Sequence, residues 1–284
     1  MRLVLLLACA AALAGCTGSA DGQEEGQAAA PAPAASASGI VASPSPQPTE
    51  TGLAARDAAG ARSVSEETDD YLFTYSYPTK AGAIPALGDW LDGELEERRS
   101  ELAREAAQAR REARADGFPY NKHSYQAEWK VVADIPGWLS MSNEFSTYSG
   151  GAHGIYGVNS LLWDKSANEA MDAIQLFASA KALEDALGDR FCDGLDKARE
   201  ARRGTPVDRD ADDPFNDCPG IDELTVLVGS GGGRRFDRLT LYAGPYVAGP
   251  YAEGDFRVNL PVDQAVMDAV KPRYRDSFAA RNRA

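Results

Sequence analysis

The chain has 284 residues, 44% hydrophobic and 25% charged, with 43 acidic against 29 basic side chains and a formal charge of −14. An acidic excess of that size repels nucleic acid and anionic lipid headgroups, and argues against both as ligands. After the N-terminal apolar run, no segment approaches the roughly 18 uninterrupted apolar residues that a membrane-spanning helix needs.

In chain order, Arg2 provides a short positive start and Leu3 to Ala12 an apolar run. Leu13-Ala14-Gly15-Cys16 closes it with small residues. This ending resembles the bacterial lipoprotein signal. The resemblance implies that residues 1–15 are a signal peptide, that Cys16 is acylated, and that lipid on Cys16 holds the chain to a membrane. The localisation expected is the extracytoplasmic cell envelope, and Thr17 in place of Asp points to the outer membrane where the cell has one. From Thr17 to about Arg62 the composition is Ala, Pro, Ser, Gly and Gln, including APAPAASAS and SPSPQPT. Such a segment buries too little apolar surface to offset its ordering entropy. Residues 16–65 are therefore expected to form a disordered tether with a mean reach of roughly 40 Å.

The folded part is expected from about Glu66 to Phe278. Tyr71 to Tyr77 is aromatic-rich and ends at Pro78, which reads as a strand. Ile84, Leu87, Leu91, Leu95, Leu102, Ala106, Ala109 and Ala113 share one helical face that stops near Asp116-Gly117. The alanine-only, charged C-terminal half should lie lightly on the body or project from it. The period then changes to two. Tyr125 to Asp134 and Trp138 to Tyr148 flank Ile135-Pro136-Gly137 as a hairpin, and Ile155 to Trp163 continues as a third strand. A helix is expected over Ala173 to Phe191. Leu224 to Val228 and Phe236 to Tyr242 should pair around Gly229 to Gly233, and Phe256 to Leu260 is the last strand. Pro261 should open a closing helix over Val262 to Val270. The blocks of helices and hairpins predict an α+β fold with an antiparallel or mixed sheet and packed helices, following the tether.

Of four cysteines, Cys9 leaves with the signal and Cys16 carries lipid, so Cys192 and Cys218 remain. In an oxidising envelope a disulfide between them is the default. It would close a loop of about 25 residues and contribute on the order of 3 kcal/mol. Two free thiols are the alternative.

Tyr148-Ser-Gly150-Gly151-Ala-His153-Gly154 places three glycines around one histidine, which marks a sharply bent or closely approached backbone. A hairpin leading into this YxGGAHG segment, then a strand and the Leu176-Phe177 helix start, resembles the domain beside the catalytic module of the peptidoglycan deacetylase PdaC. Leu241 to Gly254 followed by Phe256 to Pro261 resembles the ending of the same group, carried by RsiV-type anti-sigma factors on their outer domain. The resemblance implies a PdaC-like domain over residues 66–168 and an RsiV-like C-terminal domain over residues 169–284. It also implies an extracytoplasmic role beside the cell wall and, from RsiV, lysozyme as a partner. It does not imply catalysis, because the deacetylase chemistry of PdaC belongs to another module. The chain departs from the pattern at Lys165 to Glu169, where the group has a Thr-Gly turn.

His153 has two readings: a ligand contact or acid–base group, or a side chain that locks the glycine turn through backbone hydrogen bonds. The second is favoured because no nucleophile lies within the motif. No G-x-S-x-G, H-E-x-x-H or cysteine cluster occurs, and no cofactor or metal site is expected. The acidic run Asp208 to Asp213 lacks the glycine and the closing glutamate of a calcium loop. Tyr242, Tyr246 and Tyr251 offer stiff amphipathic rings for stacking on sugars or anchoring a protein, or else fill the core under an irregular strand. The binding candidates are thus Tyr148, Gly150, Gly151, His153, Tyr242, Tyr246 and Tyr251. The function expected is a lipid-anchored, non-enzymatic envelope module that recognises peptidoglycan or a wall-acting protein such as lysozyme. A hydrolase or deacetylase using His153, and a structural lipoprotein, are the alternatives.

Overall fold

The computed structural model describes residues 54–281. The expected signal of residues 1–15, Cys16 and the tether as far as residue 53 lie outside the described residues. A strand forms earlier than Glu66: β1 (Arg62–Glu67) pairs antiparallel with β2 (Tyr71–Tyr77). Ion pairs account for this early start. Arg62 Nη1 lies 2.6 Å from Asp92 Oδ1, and Arg56 Nη2 lies 2.6 Å from both Asp92 Oδ2 and Asp89 Oδ1. Polar composition masked these long-range partners.

A short α1 (Thr79–Gly82) leads into α2 (Pro85–Asp116). Pro85 suits the first turn, where its missing N–H is not needed, and Gly117 ends the helix at φ 74°. Leu87, Leu91, Leu95, Leu102 and Ala106 are buried, and the side chains beyond them are not. The C-terminal half lies lightly on the body, tied to the β1–β2 turn by the Arg110–Asp70 ion pair.

The helix returns the chain to β3 (His123–Ile135), which pairs parallel with β2. β4 (Trp138–Tyr148), β5 (Ile155–Asp164) and the short β6 (Glu169–Met171) follow as an antiparallel meander. The six-stranded mixed sheet thus runs β1 to β6 in sequence order. The boundary expected between residues 168 and 169 falls just before β6, whose three residues extend this sheet.

The helix expected over Ala173 to Phe191 is broken. A 3-10 turn (Ala173–Leu176), α3 (Ala180–Leu187) and α4 (Asp189–Arg203) take its place. Asp172 accepts from Ile174 N at 3.1 Å, and Ser179 Oγ accepts from Ala182 N at 3.0 Å, each starting a new segment. Gly188, at φ 53°, then separates α3 from α4. Ala173, Leu176, Leu183, Leu187 and Phe191 are all buried, so apolar spacing ran through breaks made by polar caps.

β7 (Thr225–Gly229), β8 (Arg238–Ala243) and β9 (Phe256–Pro261) form a three-stranded antiparallel sheet. Pro261 is the last residue of β9 and does not open a helix over Val262 to Val270. α5 (Gln264–Ala269) starts after Asp263, whose carboxylate accepts from Val266 N at 3.1 Å. That local cap outcompetes the proline as the start signal.

Alternation divides the six-stranded sheet into two unlike faces. On one, α2 buries its leucines against Phe73, Tyr75, Trp129, Met141, Leu161 and Trp163. On the other, the three-stranded sheet and α3 to α5 cover only the far end, at Ala133, Ile135, Trp138, Val158 and Leu162. Thr225 Oγ1 donates to the Val158 carbonyl at 2.8 Å and ties the two sheets together. The Cys192–Cys218 disulfide is present, with Cα atoms 5.5 Å apart, and joins α4 to the loop before β7.

Asp92 makes the N-terminal ion-pair network acid-sensitive. Burial pushes its carboxyl up, but the Tyr77 hydroxyl, Arg62 and Arg56 outweigh burial and hold it below the ordinary 3.8. A lowered folded-state pKa contributes stability above the unfolded value that is lost as pH falls through the folded one. Asp92→Asn should therefore flatten the fall in stability below pH about 4 and lower stability near neutrality by about 1 kcal/mol. Urea unfolding followed by circular dichroism at several pH values checks this, and an unchanged acid limb would refute it.

Candidate binding trough

The uncovered part of the six-stranded sheet is polar by register. One cross-strand row runs Ser65, Thr74, Gln126, Ser146 and Tyr156 over β1 to β5. The next runs Ser63, Ser76, Glu128, Glu144 and Val158. Ser63, Ser65, Thr74, Ser76, Gln126, Glu128, Glu144 and Ser146 of these rows line an open trough of about 470 Å³, with Tyr156 and the covered Val158 just beyond its end. At a strand spacing of about 4.8 Å, the four strands β1 to β4 span roughly 14 Å. The floor therefore offers hydroxyls, an amide and carboxylates to an elongated ligand.

The end of the first row meets the glycine and tyrosine segments singled out in the sequence. Tyr156 packs edge-on to Tyr251, with ring centroids 5.9 Å apart at 72°. His153 stacks on Tyr251 at 3.9 Å and 22°, and the Tyr246 ring lies 5.7 Å from Tyr251. The Tyr251 hydroxyl donates to the Gly154 carbonyl at 2.9 Å. His153 Nδ1 faces the same carbonyl at 2.9 Å, and its Nε2 lies 3.3 Å from the Tyr246 hydroxyl. With Nδ1–H as donor, Nε2 is left to accept from the tyrosine.

Local backbone explains how these rings reach one place. Gly150 and Gly151 take φ 101° and 86°, conformations that side chains oppose, and so turn the chain back after β4. The Tyr148 hydroxyl donates to the Gly151 carbonyl at 3.1 Å and braces that turn. Tyr246 sits at φ 70° and is 55% exposed, so a bulky residue is held in the left-handed region at a loop tip. Strain of that kind, of order 1–3 kcal/mol, is found where a side chain must be presented. Gly254 allows the close approach of Tyr156, since a Cβ there would lie 2.8 Å from the tyrosine hydroxyl.

The last turns of α4 hold this loop in place. Arg199, with no exposed surface, donates from Nε to the Ala248 carbonyl at 2.9 Å. It also donates to Asn216 O at 3.2 Å, to Asp217 O at 2.8 Å and to Asp196 Oδ1 at 3.1 Å. Arg202 donates to the Glu253 and Asp255 carbonyls, and Arg203 pairs with the Glu253 carboxylate at 2.9 Å.

Two carboxylates at the trough meet two cations, Lys130 and Arg257, the latter 3.5 Å from Glu144 Oε1. Glu128 and Glu144 face each other across β3 and β4, and Lys130 Nζ bridges them at 3.0 and 2.6 Å. The Lys130 hydrogen bond is the main cause that holds Glu144 below the usual glutamate range, despite partial burial. A carboxylate kept ionised accepts hydrogen bonds well and serves poorly as a general acid.

Of the residues singled out in the sequence, His153, Tyr246 and Tyr251 come together, with Tyr148, Gly150 and Gly151 shaping the turn beneath them. Tyr242 does not join them. It is 3% exposed, packs with Val158 and Leu227 between the sheets, and burial pushes its phenol well up. Sequence reasoning missed Tyr156, Arg199 and the polar rows. Tyr156 lies two residues past the glycine motif, and Thr74 and Ser76 alternate with aromatics on β2, so part of that signal was readable.

Residues 64–156 match the family described as Deacetylase PdaC. On this match residues 64–156 form a PdaC-like domain. Comparison with curated proteins finds no match. Solved structures similar to this chain include two members of one family. A DUF3298 family protein from Pseudomonas aeruginosa is 19% identical, covers 81% of this chain and 100% of its own, and has a TM-score of 0.44. A DUF3298 family member from Bacteroides fragilis is 16% identical, covers 74% and 91%, and has a TM-score of 0.39. Among the described residues no helix is long and apolar enough to cross a membrane.

Proposed function

We propose that the chain is a non-enzymatic envelope module whose trough binds a peptidoglycan-type glycan strand, with lipid on Cys16 holding it near a membrane. The carrying observation is the meeting of the polar cross-strand row that ends at Tyr156 with the Tyr156–Tyr251–His153–Tyr246 ring cluster. Sugars present hydroxyls to hydrogen-bonding side chains and C–H faces to aromatic rings, and this surface offers both side by side. The PdaC match supports a role at the wall. The deacetylase activity in that family's description is not assigned to this chain. Both ring nitrogens of His153 face a carbonyl and a phenol, and Glu128 and Glu144 are engaged by Lys130, so none is poised as an acid–base pair.

Co-sedimentation of the full chain carrying Cys16→Ser with purified peptidoglycan tests the reading. The expected result is pelleting with unaltered wall fragments. Altered fragments would replace the binder with an enzyme. Failure to pellet would overturn glycan binding and leave a cationic wall-acting protein such as lysozyme as the ligand to try. In cells, the same substitution should release the chain from membranes washed at high salt, and retention through that wash would refute the lipid anchor.

A further inference from the structure

The overall acidity of the chain hides a segregated basic pole. Residues 229–238, through the β7–β8 turn, and residues 271–281, around the C-terminal 3-10 segment (Pro272–Ser277), hold seven cationic residues: Arg234, Arg235, Arg238, Lys271, Arg273, Arg275 and Arg281. Only Asp237 and Asp276 oppose them within those two stretches. The two segments are knitted together. Phe236 N donates to Ser277 O at 2.8 Å, Ala279 N donates to Phe236 O at 2.9 Å, and the Phe236 and Phe278 rings lie 5.3 Å apart.

The seven divide into two sets. Arg238 donates to the Ser230 carbonyl at 2.7 Å, Arg281 pairs with Asp237 at 3.4 Å, and Lys271 donates to the Gln175 carbonyl at 2.8 Å, so these three hold the fold. Arg234, Arg235, Arg273 and Arg275 are exposed and make no ion pair among the described residues. Arg273 lies over the half-buried Tyr274 ring at 4.6 Å. In a chain of charge −14, four arginines left without carboxylates at one pole are the reverse of what general repulsion would arrange.

We propose that this pole is a docking surface for an anionic phospholipid bilayer, separate from the glycan trough and independent of it. The guanidinium fork matches a phosphate oxygen pair better than an ammonium does. Arginines spread over a turn and a neighbouring helix meet an array of headgroups, where each adds a weak contact.

The test is flotation of the full chain carrying Cys16→Ser with vesicles of phosphatidylglycerol and phosphatidylcholine mixed equally. Pure phosphatidylcholine vesicles give the baseline, including any contribution of residues 1–15. The proposal expects binding above baseline that falls steeply with salt. It also expects a drop on the order of 1000-fold for the Arg234→Ala/Arg235→Ala/Arg273→Ala/Arg275→Ala chain. Unfolding temperature and peptidoglycan pelleting of that variant should match the parent, which separates loss of docking from loss of fold. Binding no stronger than baseline, or binding that survives the four substitutions, would overturn it. Equal retention on soluble polyphosphate with none on vesicles would also overturn the bilayer as the partner.

Discussion

Arg199→Ala should lower stability by about 3–5 kcal/mol, the range for removing one partner from a buried charge network. No other fully buried cation is present among the described residues, and its guanidinium serves three carbonyls and one carboxylate from α4. Truncation would leave the Ala248, Asn216 and Asp217 carbonyls without this donor and the 16%-exposed Asp196 with Arg209 alone. Because those carbonyls belong to the tyrosine loop and to the segment ending in Cys218, both would loosen together. The unfolding temperature should fall by roughly 6–20 °C, on the scale of a domain of this size. Arg199→Lys keeps the charge but not the fork and should lie between the two. A loss under about 1 kcal/mol for the alanine variant would show that the network is replaceable by water.

Tyr251→Ala should weaken glycan binding by about 2–3 kcal/mol, roughly 30- to 150-fold in Kd, as expected for a central aromatic anchor. This ring alone touches His153, Tyr156 and Tyr246. Its removal takes away the stacking surface and leaves His153 held only by the Gly154 carbonyl and the Tyr246 hydroxyl. Tyr251→Phe retains the stack and loses only the bond to Gly154, so its affinity should stay within about tenfold of the parent. Isothermal titration with soluble wall fragments measures both. Equal losses for Phe and Ala would move the contribution from the ring to the hydroxyl, and no loss for either would remove the wall of the trough from recognition.

Much of this could be read from residue order. The α2 face, the β3–β4–β5 meander, the β7–β8 hairpin and the Cys192–Cys218 bridge follow from local periodicity, turn residues and cysteine count. The breaks at Ser179, Gly188 and Asp263 escaped because caps act over three residues while the apolar pattern continues past them. The trough escaped for a different reason. Each of Ser65, Thr74, Gln126 and Ser146 is unremarkable along the chain, and only register brings them into one row. Tyr242 misled because it shares a stretch with Tyr246 and Tyr251, yet lies on a buried strand, while they ride on the loop after it.

The parallel pairing of β2 with β3 has a consequence for how the molecule is built up in time. Every other neighbouring pair in the two sheets is antiparallel. Most of these join strands close in sequence, whereas residues 78–122 intervene between β2 and β3. Closing that span costs chain entropy before any contact rewards it, and long-range pairing of this kind slows folding. The β1 and β2 side of the trough floor joins the β3 and β4 side only through this long-range pairing, so the complete ligand surface exists only once the span of residues 78–122 has closed.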